Sequence, residues 1–329
     1  MEYRYSEVID PSVYETDGLV TNSAVALRRH KDSFSEIIGS LRAQRDWSEK
    51  VSPVHGYHGN LGKTFSFMRV CVPECLPERL ETIAYANEYA FIYDDEMEKL
   101  DLKQIPEVGA PGILETFSNG VFEHEVQGGL DKARPEKRLH AQLLAEMMAI
   151  DPLRAKTTMQ AWARFVQLAS RTRMKSFGTL LEYIPARVID AGELIWFGTL
   201  TFGMGLTIPD KDYGLCMELA RPGYVVLALT NDLYSWEKER RAAELQGQDY
   251  VFNAIWVIMK ERGVGEEEAK ATCSEVIREY TDEFCGIVER TKNNPAICQD
   301  VRAYVEAVLL SVAGNLVWSI YCPRYHQGI

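Results

Sequence analysis

The sequence lacks an excess of basic residues, since 36 Lys and Arg stand against 48 Asp and Glu, for a formal net charge of -12. Neutralising nucleic-acid phosphates requires a basic face, so this balance argues against a general nucleic-acid binder. The chain also lacks an apolar run close to the roughly 20 residues that cross a bilayer, and residues 1–10 (MEYRYSEVID) do not resemble a signal peptide. We therefore expect no nucleic acid as a partner, no stable membrane insertion and a cytoplasmic location.

Paired cysteine motifs are also missing. The seven cysteines are an odd number, are scattered along the chain and form no CxxC pair. This pattern predicts buried thiols in a reducing compartment and no structural zinc site. Apolar residues make up 46% of the chain, and Pro with Gly only 36 of 329 residues, which is typical of a folded globular protein.

Alternating patterns of period two, which would indicate half-buried strands, are scarce, whereas apolar residues recur at helical spacing along most of the chain. The sequence therefore predicts an all-α protein. No repeat of fixed period is present, which argues against an α-solenoid. Residues 100–130 are rich in Gly and Pro and predict a loop, but the similar composition on both sides favours one domain. The predicted helices span about 22–41, 77–98, 134–149, 152–175, 177–206, 210–243, 249–262, 266–292 and 296–321.

An acidic motif, DDEME, ends the second predicted helix. Asp94 and Glu98 lie four residues apart and share a helix face, and Asp95 lies about 100° round the axis. Magnesium binds one or two carboxylates together with substrate phosphates, so this helix end is a candidate metal site. A solvated acidic helix end gives the same pattern, so the motif by itself leaves both interpretations open.

A second motif, NDLYSWEKE, follows the apolar run at residues 225–229. Asn231, Ser235 and Glu239 are spaced four and four, so they form one line on a helix and their oxygen atoms can converge on one cation. A polar stripe with ordinary hydrogen bonds between successive turns remains the alternative for this segment alone.

Together, the two motifs resemble the metal-binding motifs of class I terpene synthases. Arg187 with Asp190 and Ala191 resembles that family's diphosphate sensor, linker and effector, and Arg324-Tyr325 resembles its carboxy-terminal Arg-Tyr pair. The stretches 59–67 (GNLGKTFSF), 72–79 (VPECLPER) and 314–319 (GNLVWS) are similar to the cyclase domain of fungal chimeric diterpene and sesterterpene synthases of the fusicoccadiene-synthase type. One departure is Glu98, where many relatives have Asp.

The resemblance implies a single all-α helical bundle over residues 1–329 with a central active-site cavity, either complete or cut from a longer cyclase-prenyltransferase chain. It implies three Mg²⁺ ions, an isoprenoid diphosphate as substrate, and Asp94, Arg187, Asn231, Ser235 and Glu239 as the catalytic set. The full assignment is Asp94, Asp95, Glu98, Asn231, Ser235 and Glu239 for the metals, Arg187, Lys238, Arg324 and Tyr325 for the diphosphate, and Asp190 and Ala191 as linker and effector.

A carbocation formed after diphosphate loss needs an apolar pocket with aromatic faces, each of which stabilises a nearby cation by roughly 0.5–2 kcal/mol. We expect Phe67, Phe91, Trp196 and Trp318 to line that pocket, although aromatic residues at helical spacing also form ordinary cores. The substrate implied by the resemblance is geranylgeranyl diphosphate, with geranylfarnesyl diphosphate as the alternative. A chain-elongating prenyltransferase and a non-enzymatic helical interaction protein are the rival functions, and a homodimer is compatible with each.

Overall fold

The computed structural model describes residues 1–20, 25–98, 135–172 and 175–326, and within these ranges its regular secondary structure is almost entirely helical. Two three-residue strands, β1 (Ser6–Val8) and β2 (Arg28–His30), pair antiparallel, with Ser6 opposite His30. The helices are α1 (Ser35–Lys50), α2 (Phe67–Cys71), α3 (Pro77–Glu98), α4 (Pro135–Ile150), α5 (Pro152–Thr172), α6 (Leu180–Asp190), α7 (Glu193–Gly203), α8 (Asp210–Leu245), α9 (Ala254–Arg262), α10 (Glu266–Lys292) and α11 (Gln299–Tyr321).

The last helix, α11, lies at the centre of the bundle. It packs against α8, α10 and α2, and its residues 304–319 are all buried. By length and composition α11 could cross a membrane, which corrects the expectation that no segment comes close, but 89% of its apolar window is buried inside the protein. Its hydrophobicity is therefore that of a core helix, and it places Trp318 and the following Arg324 in the interior.

The predicted first helix, 22–41, is wrong at its start. Residues 28–30 are extended in β2, and α1 begins only at Ser35. The local reason is Asp32, whose carboxylate accepts the backbone N–H groups of Phe34 at 2.8 Å and Ser35 at 3.0 Å and so caps the beginning of α1. The helix then runs to Lys50 and packs along α3.

The predicted helix 177–206 is two helices. Gly192 adopts a left-handed conformation with φ of 89°, which separates α6 from α7 at the sensor and linker residues. Pro185 lies inside α6 without ending it, so the separation of the two helices falls at Gly192. Predicted bounds at 77–98 and 266–292 agree with α3 and α10, whereas the helix predicted at 249–262 begins at Ala254 because Asn253 caps it.

The predicted loop at 100–130 lies outside the described residues. The single-domain prediction for residues 1–329 therefore stays a prediction. Within the described ranges, α3 and α8 bring the two acidic motifs near the end of α11, and this arrangement positions the candidate site.

Candidate active site

Asp95 lies at the meeting point of the two motifs and the carboxy-terminal pair. Its carboxylate accepts Lys238 Nζ at 2.8 Å, Arg324 Nη2 at 2.8 Å, a second bond from Arg324 Nη1, and the hydroxyl of Tyr57 at 2.8 Å. Burial acts to raise the pKa of Asp95, but Arg324 and Lys238 outweigh it and hold the pKa below its usual value. This carboxylate is therefore ionised, and it gathers two of the basic residues that the sequence assigned to the diphosphate.

The neighbouring acidic residues are less fully described. Asp94 is half-buried on α3. Glu98 is the last residue of α3, and its side chain lies outside the described residues. Their assignment as metal ligands stays a prediction.

The second motif forms the expected line on α8. Ser235 Oγ donates to Glu239 Oε1 at 2.7 Å, and Asn253 Nδ2, from the residue before α9, donates to Glu239 Oε2 at 2.9 Å. Burial raises the pKa of Glu239, partly opposed by the charge of Arg187. A carboxylate that water solvates poorly gains much from a cation, which makes Glu239 a suitable ligand.

Arg187 of α6 is buried, with 7% of its surface exposed, and its guanidinium is bonded on three sides. Nη1 donates to Asp190 Oδ2 at 2.6 Å, Nη2 to Asn231 Oδ1 at 2.6 Å, and Nε to Asp232 Oδ1 at 2.7 Å. The predicted pair of Arg187 with Asp190 is thus present, three residues apart on one helix. Ala191 is the C-cap residue of α6, and its role as effector stays a prediction.

Asp232 was not assigned a role from the sequence, although it stands inside the second motif. It has no exposed surface and also accepts Tyr183 Oη at 2.8 Å and the backbone N–H of Ala254 at 2.9 Å. It therefore fixes the sensor arginine to α8 and to the beginning of α9. The sequence signal for Asp232 was its position next to Asn231 in the second motif. No such signal marked Tyr57 or Asn253, because they contact Asp95 and Glu239 from outside the two motifs.

One hydrogen bond joins the sensor cluster to the carboxy-terminal pair. Asn231 Nδ2 donates to the hydroxyl of Tyr325 at 2.5 Å, while its Oδ1 accepts from Arg187. The side chains of Arg187, Asn231 and Tyr325 thus form a continuous polar row, and Arg324 follows next to Tyr325. Lys238 and Arg324 both bind Asp95, so all four residues predicted to bind the diphosphate lie close to it or in this row. We call these four residues, together with Asn231 and Asp95, the polar rim.

The four predicted aromatic residues form one cluster. The ring of Phe67 lies 4.7 Å from Trp318, 5.5 Å from Phe91 and 5.6 Å from Trp196, centroid to centroid, and Phe91 stacks on Trp318 at 5.8 Å. The cluster touches the polar rim directly, since the Arg324 guanidinium carbon lies 4.8 Å from the Phe91 centroid and Trp318 packs on Tyr325.

A central cavity stays a prediction. Two clefts among the described residues hold about 250 Å³ beside Tyr234 and Lys270 and about 370 Å³ beside Tyr213 and Arg221, and neither of these two is lined by a residue of the aromatic cluster. Phe67 contacts the other three rings, so the four aromatic side chains form one continuous wall.

The side chains on α8 fit a magnesium ion by their chemistry. Among the described residues, no three His, Cys, Asp or Glu side chains form a metal cluster. The line on α8 instead offers an amide, a hydroxyl and one carboxylate, and oxygen donors of this kind, with few carboxylates and room for water and phosphate, suit Mg²⁺. The arrangement can therefore hold a hard divalent cation next to basic groups that bind an anion.

The chain is similar in sequence to known proteins. The family model described as "Terpene synthase family 2, C-terminal metal binding" matches residues 123–283. The chain is 43% identical to fusicoccadiene synthase of Phomopsis amygdali, over 100% of this chain and 46% of that relative. It is 44% identical to a bifunctional type I diterpene synthase of Aspergillus flavipes, over 99% and 42%. It is 37% identical to a bifunctional sesterterpene synthase of Aspergillus aculeatus, over 99% and 45%.

The chain thus spans less than half the length of these curated relatives. Among solved structures, aristolochene synthase from Penicillium roqueforti matches with a TM-score of 0.64 at 18% identity, over 87% of this chain and 95% of that one. At this identity the likeness concerns the fold alone, and it confirms the predicted all-α bundle.

Proposed function

The chain belongs to the class I terpene synthase family, and we propose that it ionises geranylgeranyl diphosphate with three Mg²⁺ ions and cyclises the cation to a polycyclic diterpene hydrocarbon, releasing diphosphate. Relatives named as terpene, diterpene and sesterterpene synthases support terpene cyclisation at the level of the family. The chain covers only part of those relatives, so the activity of the whole protein is part of this proposal.

The observation that carries the proposal is the contact between the polar rim and the aromatic cluster. Arg324 donates to Asp95 on one side and lies over the ring of Phe91 on the other. A ligand with an anionic head and a hydrocarbon tail would therefore meet basic donors and aromatic faces at the same place. A non-enzymatic scaffold has no need for that combination.

Each group on the rim has a distinct task in such a reaction. Arg187 and Arg324 can donate paired N–H groups to diphosphate oxygens, and Lys238 supplies a compact charge. Tyr325 Oη, which accepts from Asn231, can donate its own proton to the same anion. Asn231, Ser235, Glu239 and Asp94 would hold the cations, which when bound stabilise negative charge on the leaving diphosphate. Binding and orienting the head group thus fall to side chains from α3, α6, α8 and the segment after α11.

The aromatic cluster provides the surface for the cation that remains. Phe67 and Trp318 are almost fully buried, so a cation lying against them is shielded from water. Each aromatic face favours a nearby positive charge by roughly 0.5–2 kcal/mol, which is enough to bias one cyclisation route over another. The cluster therefore acts after ionisation, whereas the rim acts before it.

Substrate length is proposed from the relatives' names. The diterpene synthase is 44% identical and the sesterterpene synthase 37% identical, which favours the twenty-carbon geranylgeranyl diphosphate over the twenty-five-carbon geranylfarnesyl diphosphate. Because ionisation needs only the head group, other lengths can also react, and kcat/KM across the fifteen-, twenty- and twenty-five-carbon substrates is the deciding measurement. A clear preference for a length other than twenty would overturn the diterpene assignment.

One assay separates the proposed function from its rivals. With Mg²⁺ and geranylgeranyl diphosphate we expect diphosphate release and a cyclic hydrocarbon by gas chromatography with mass spectrometry, both abolished by EDTA. Formation of a longer prenyl diphosphate when isopentenyl diphosphate is added would indicate a chain-elongating prenyltransferase. Binding without diphosphate release from any of the three substrates would favour an interaction protein.

We further propose a fused prenyltransferase domain as a partner in the full-length protein. The relatives are more than twice as long as the part that this chain matches, and two of those named are called bifunctional. A neighbouring domain that makes the prenyl diphosphate would supply the substrate of this one. Sequencing the complete transcript and assaying its product for chain elongation tests this proposal.

A further inference from the structure

Asn60 occupies a position in the loop between α1 and α2 where four helices meet, and none of its surface is exposed. Its side-chain Nδ2 donates to Ser40 Oγ of α1 at 3.1 Å and to the carbonyl of Ala84 in α3 at 2.9 Å. Its Oδ1 accepts Asn87 Nδ2 of α3 at 2.6 Å. Both amide hydrogens and the amide oxygen are therefore bonded, which fixes the orientation of this residue.

The backbone carbonyl of Asn60 holds two members of the aromatic cluster. It accepts the backbone N–H of Phe67 at 2.9 Å and the indole Nε1–H of Trp318 at 3.1 Å. One carbonyl oxygen therefore fixes the start of α2 and the plane of an indole ring on α11. The rings of these two aromatic residues are also the closest pair in the cluster, with 4.7 Å between centroids.

Glu88 of α3 secures the same loop from the other side. Its Oε2 accepts the backbone N–H of Asn60 at 2.6 Å, and its Oε1 accepts Gln44 Nε2 of α1 at 2.6 Å. The carboxylate packs so closely on Gly59 that a Cβ at that position would lie 2.4 Å from it, which explains a glycine there. Burial raises the pKa of Glu88 to about 6, so at neutral pH it is an ionised acceptor.

We propose that Asn60, secured by Glu88, is a positioning residue that fixes Phe67 and Trp318 and thereby determines which cyclic product forms. This inference rests on the proposed function. The hydrogen bonds of Asn60 reach α1, α2, α3 and α11, and none goes to Asp95, Lys238 or Arg324 among the described residues. Disturbing Asn60 should therefore change the folding of the cation much more than the loss of diphosphate.

The test compares Asn60→Ala and the milder Ser40→Ala with a matched control, Thr281→Val. Ser40→Ala removes one acceptor from the Asn60 amide without touching the aromatic cluster, and Thr281→Val removes a buried hydrogen bond to Ile277 within α10. We expect Asn60→Ala to change the ratio of the main hydrocarbon to the other products by at least about fivefold, while diphosphate release falls by at most about threefold. Ser40→Ala should shift the ratio in the same direction by less.

The product ratio distinguishes positioning from a loss of stability, because a smaller folded fraction lowers all products equally. A second readout is independent of activity: in ¹⁵N spectra of the six tryptophan indoles, the Trp318 signal, assigned with Trp318→Phe, should move in Asn60→Ala. An unchanged ratio and an unmoved Trp318 signal in folded Asn60→Ala would overturn the proposal, as would an equal change of ratio in Thr281→Val.

Two further outcomes remain decisive. If Asn60→Ala does not fold, the product ratio and the Trp318 indole signal are measured in Ser40→Ala instead. A change in both would support the proposal, and no change in either would overturn it. If the wild-type protein releases no diphosphate, the proposed function fails, and movement of the Trp318 signal still decides whether Asn60 positions that side chain.

Discussion

Replacing Asp232 with Asn removes a carboxylate that Arg187, Tyr183 and the beginning of α9 share. All three partners donate to it, at 2.7 Å from Arg187 Nε, 2.8 Å from Tyr183 Oη and 2.9 Å from the N–H of Ala254. An asparagine amide has one oxygen and one NH₂ group, so in either orientation its NH₂ group faces an N–H donor that cannot turn away. Both the charge and the geometry that hold Arg187 are therefore lost.

The magnitude follows from the burial of the pair. Removing one partner of a buried ion pair costs about 3–5 kcal/mol, and Arg187 keeps its bond to Asp190 at 2.6 Å, so we expect about 3 kcal/mol. For 329 residues this lowers Tm by about 4 °C. A sensor displaced by 1 Å misplaces the diphosphate, and we expect kcat/KM for geranylgeranyl diphosphate to fall by about 10²-fold.

Thermal unfolding and steady-state diphosphate release measure the two effects. Asp300→Asn is the control, since Asp300 accepts one backbone N–H, from Thr207 at 2.7 Å, outside the candidate site. We expect that control to keep the wild-type kcat/KM. Wild-type Tm and kcat/KM in Asp232→Asn would refute the view that Asp232 positions Arg187.

Three further predictions concern metal, anion and pH. Asp94→Asn and Glu239→Gln should each abolish Mg²⁺-dependent diphosphate release while leaving the helical circular dichroism spectrum intact, because each removes a proposed metal ligand without changing the side-chain volume. Full activity in either variant would show that the replaced residue is not a metal ligand. Mg²⁺ with diphosphate at about 100 times Kd should stabilise the protein by about 2.7 kcal/mol, more than Mg²⁺ alone. In a thermal-shift titration Arg187→Ala should reduce this stabilisation, and equal shifts with and without diphosphate would contradict the prediction. Because burial raises the pKa of Glu88 from 4.5 to about 6, the folded state binds its proton more tightly, and the contribution of Glu88 to the free energy of unfolding should fall by about 2 kcal/mol as the pH rises from well below 4.5 to well above 6. In urea denaturation, the free energy of unfolding of the wild type should fall relative to that of Glu88→Gln over this range, because other buried carboxyls such as Glu36 are common to both proteins. Parallel curves for the two proteins would count against this prediction.

The sequence by itself determined the helices and the lines of residues on them. Residues four apart on an α-helix share a face, so Asn231, Ser235 and Glu239 had to form one line once α8 was a helix. Apolar spacing located α10, because an amphipathic stripe is a local property of the chain. The two acidic motifs alone indicated the family, since their resemblance to it depends only on residue type and spacing.

Local patterns could not give the first strand or the first helix start. Residues 28–30 pair with residues 6–8, a contact that depends on chain far away in sequence, and this pairing replaced the helix predicted there. Asp32 then set the start of α1 through its bonds to Phe34 and Ser35. Long-range pairing outweighed the helical spacing of the residues themselves.

Only the tertiary structure decided which side chains meet. Asp232 binds Arg187, Tyr57 and Arg324 bind Asp95, and Asn60 binds Trp318. These pairs are 38 to 258 positions apart in the sequence. A hydrogen bond forms only within about 3 Å, and sequence spacing fixes such distances within one helix but not between helices. The sequence therefore determined the chemical groups of the site, and the packing of α3, α8 and α11 determined their partners.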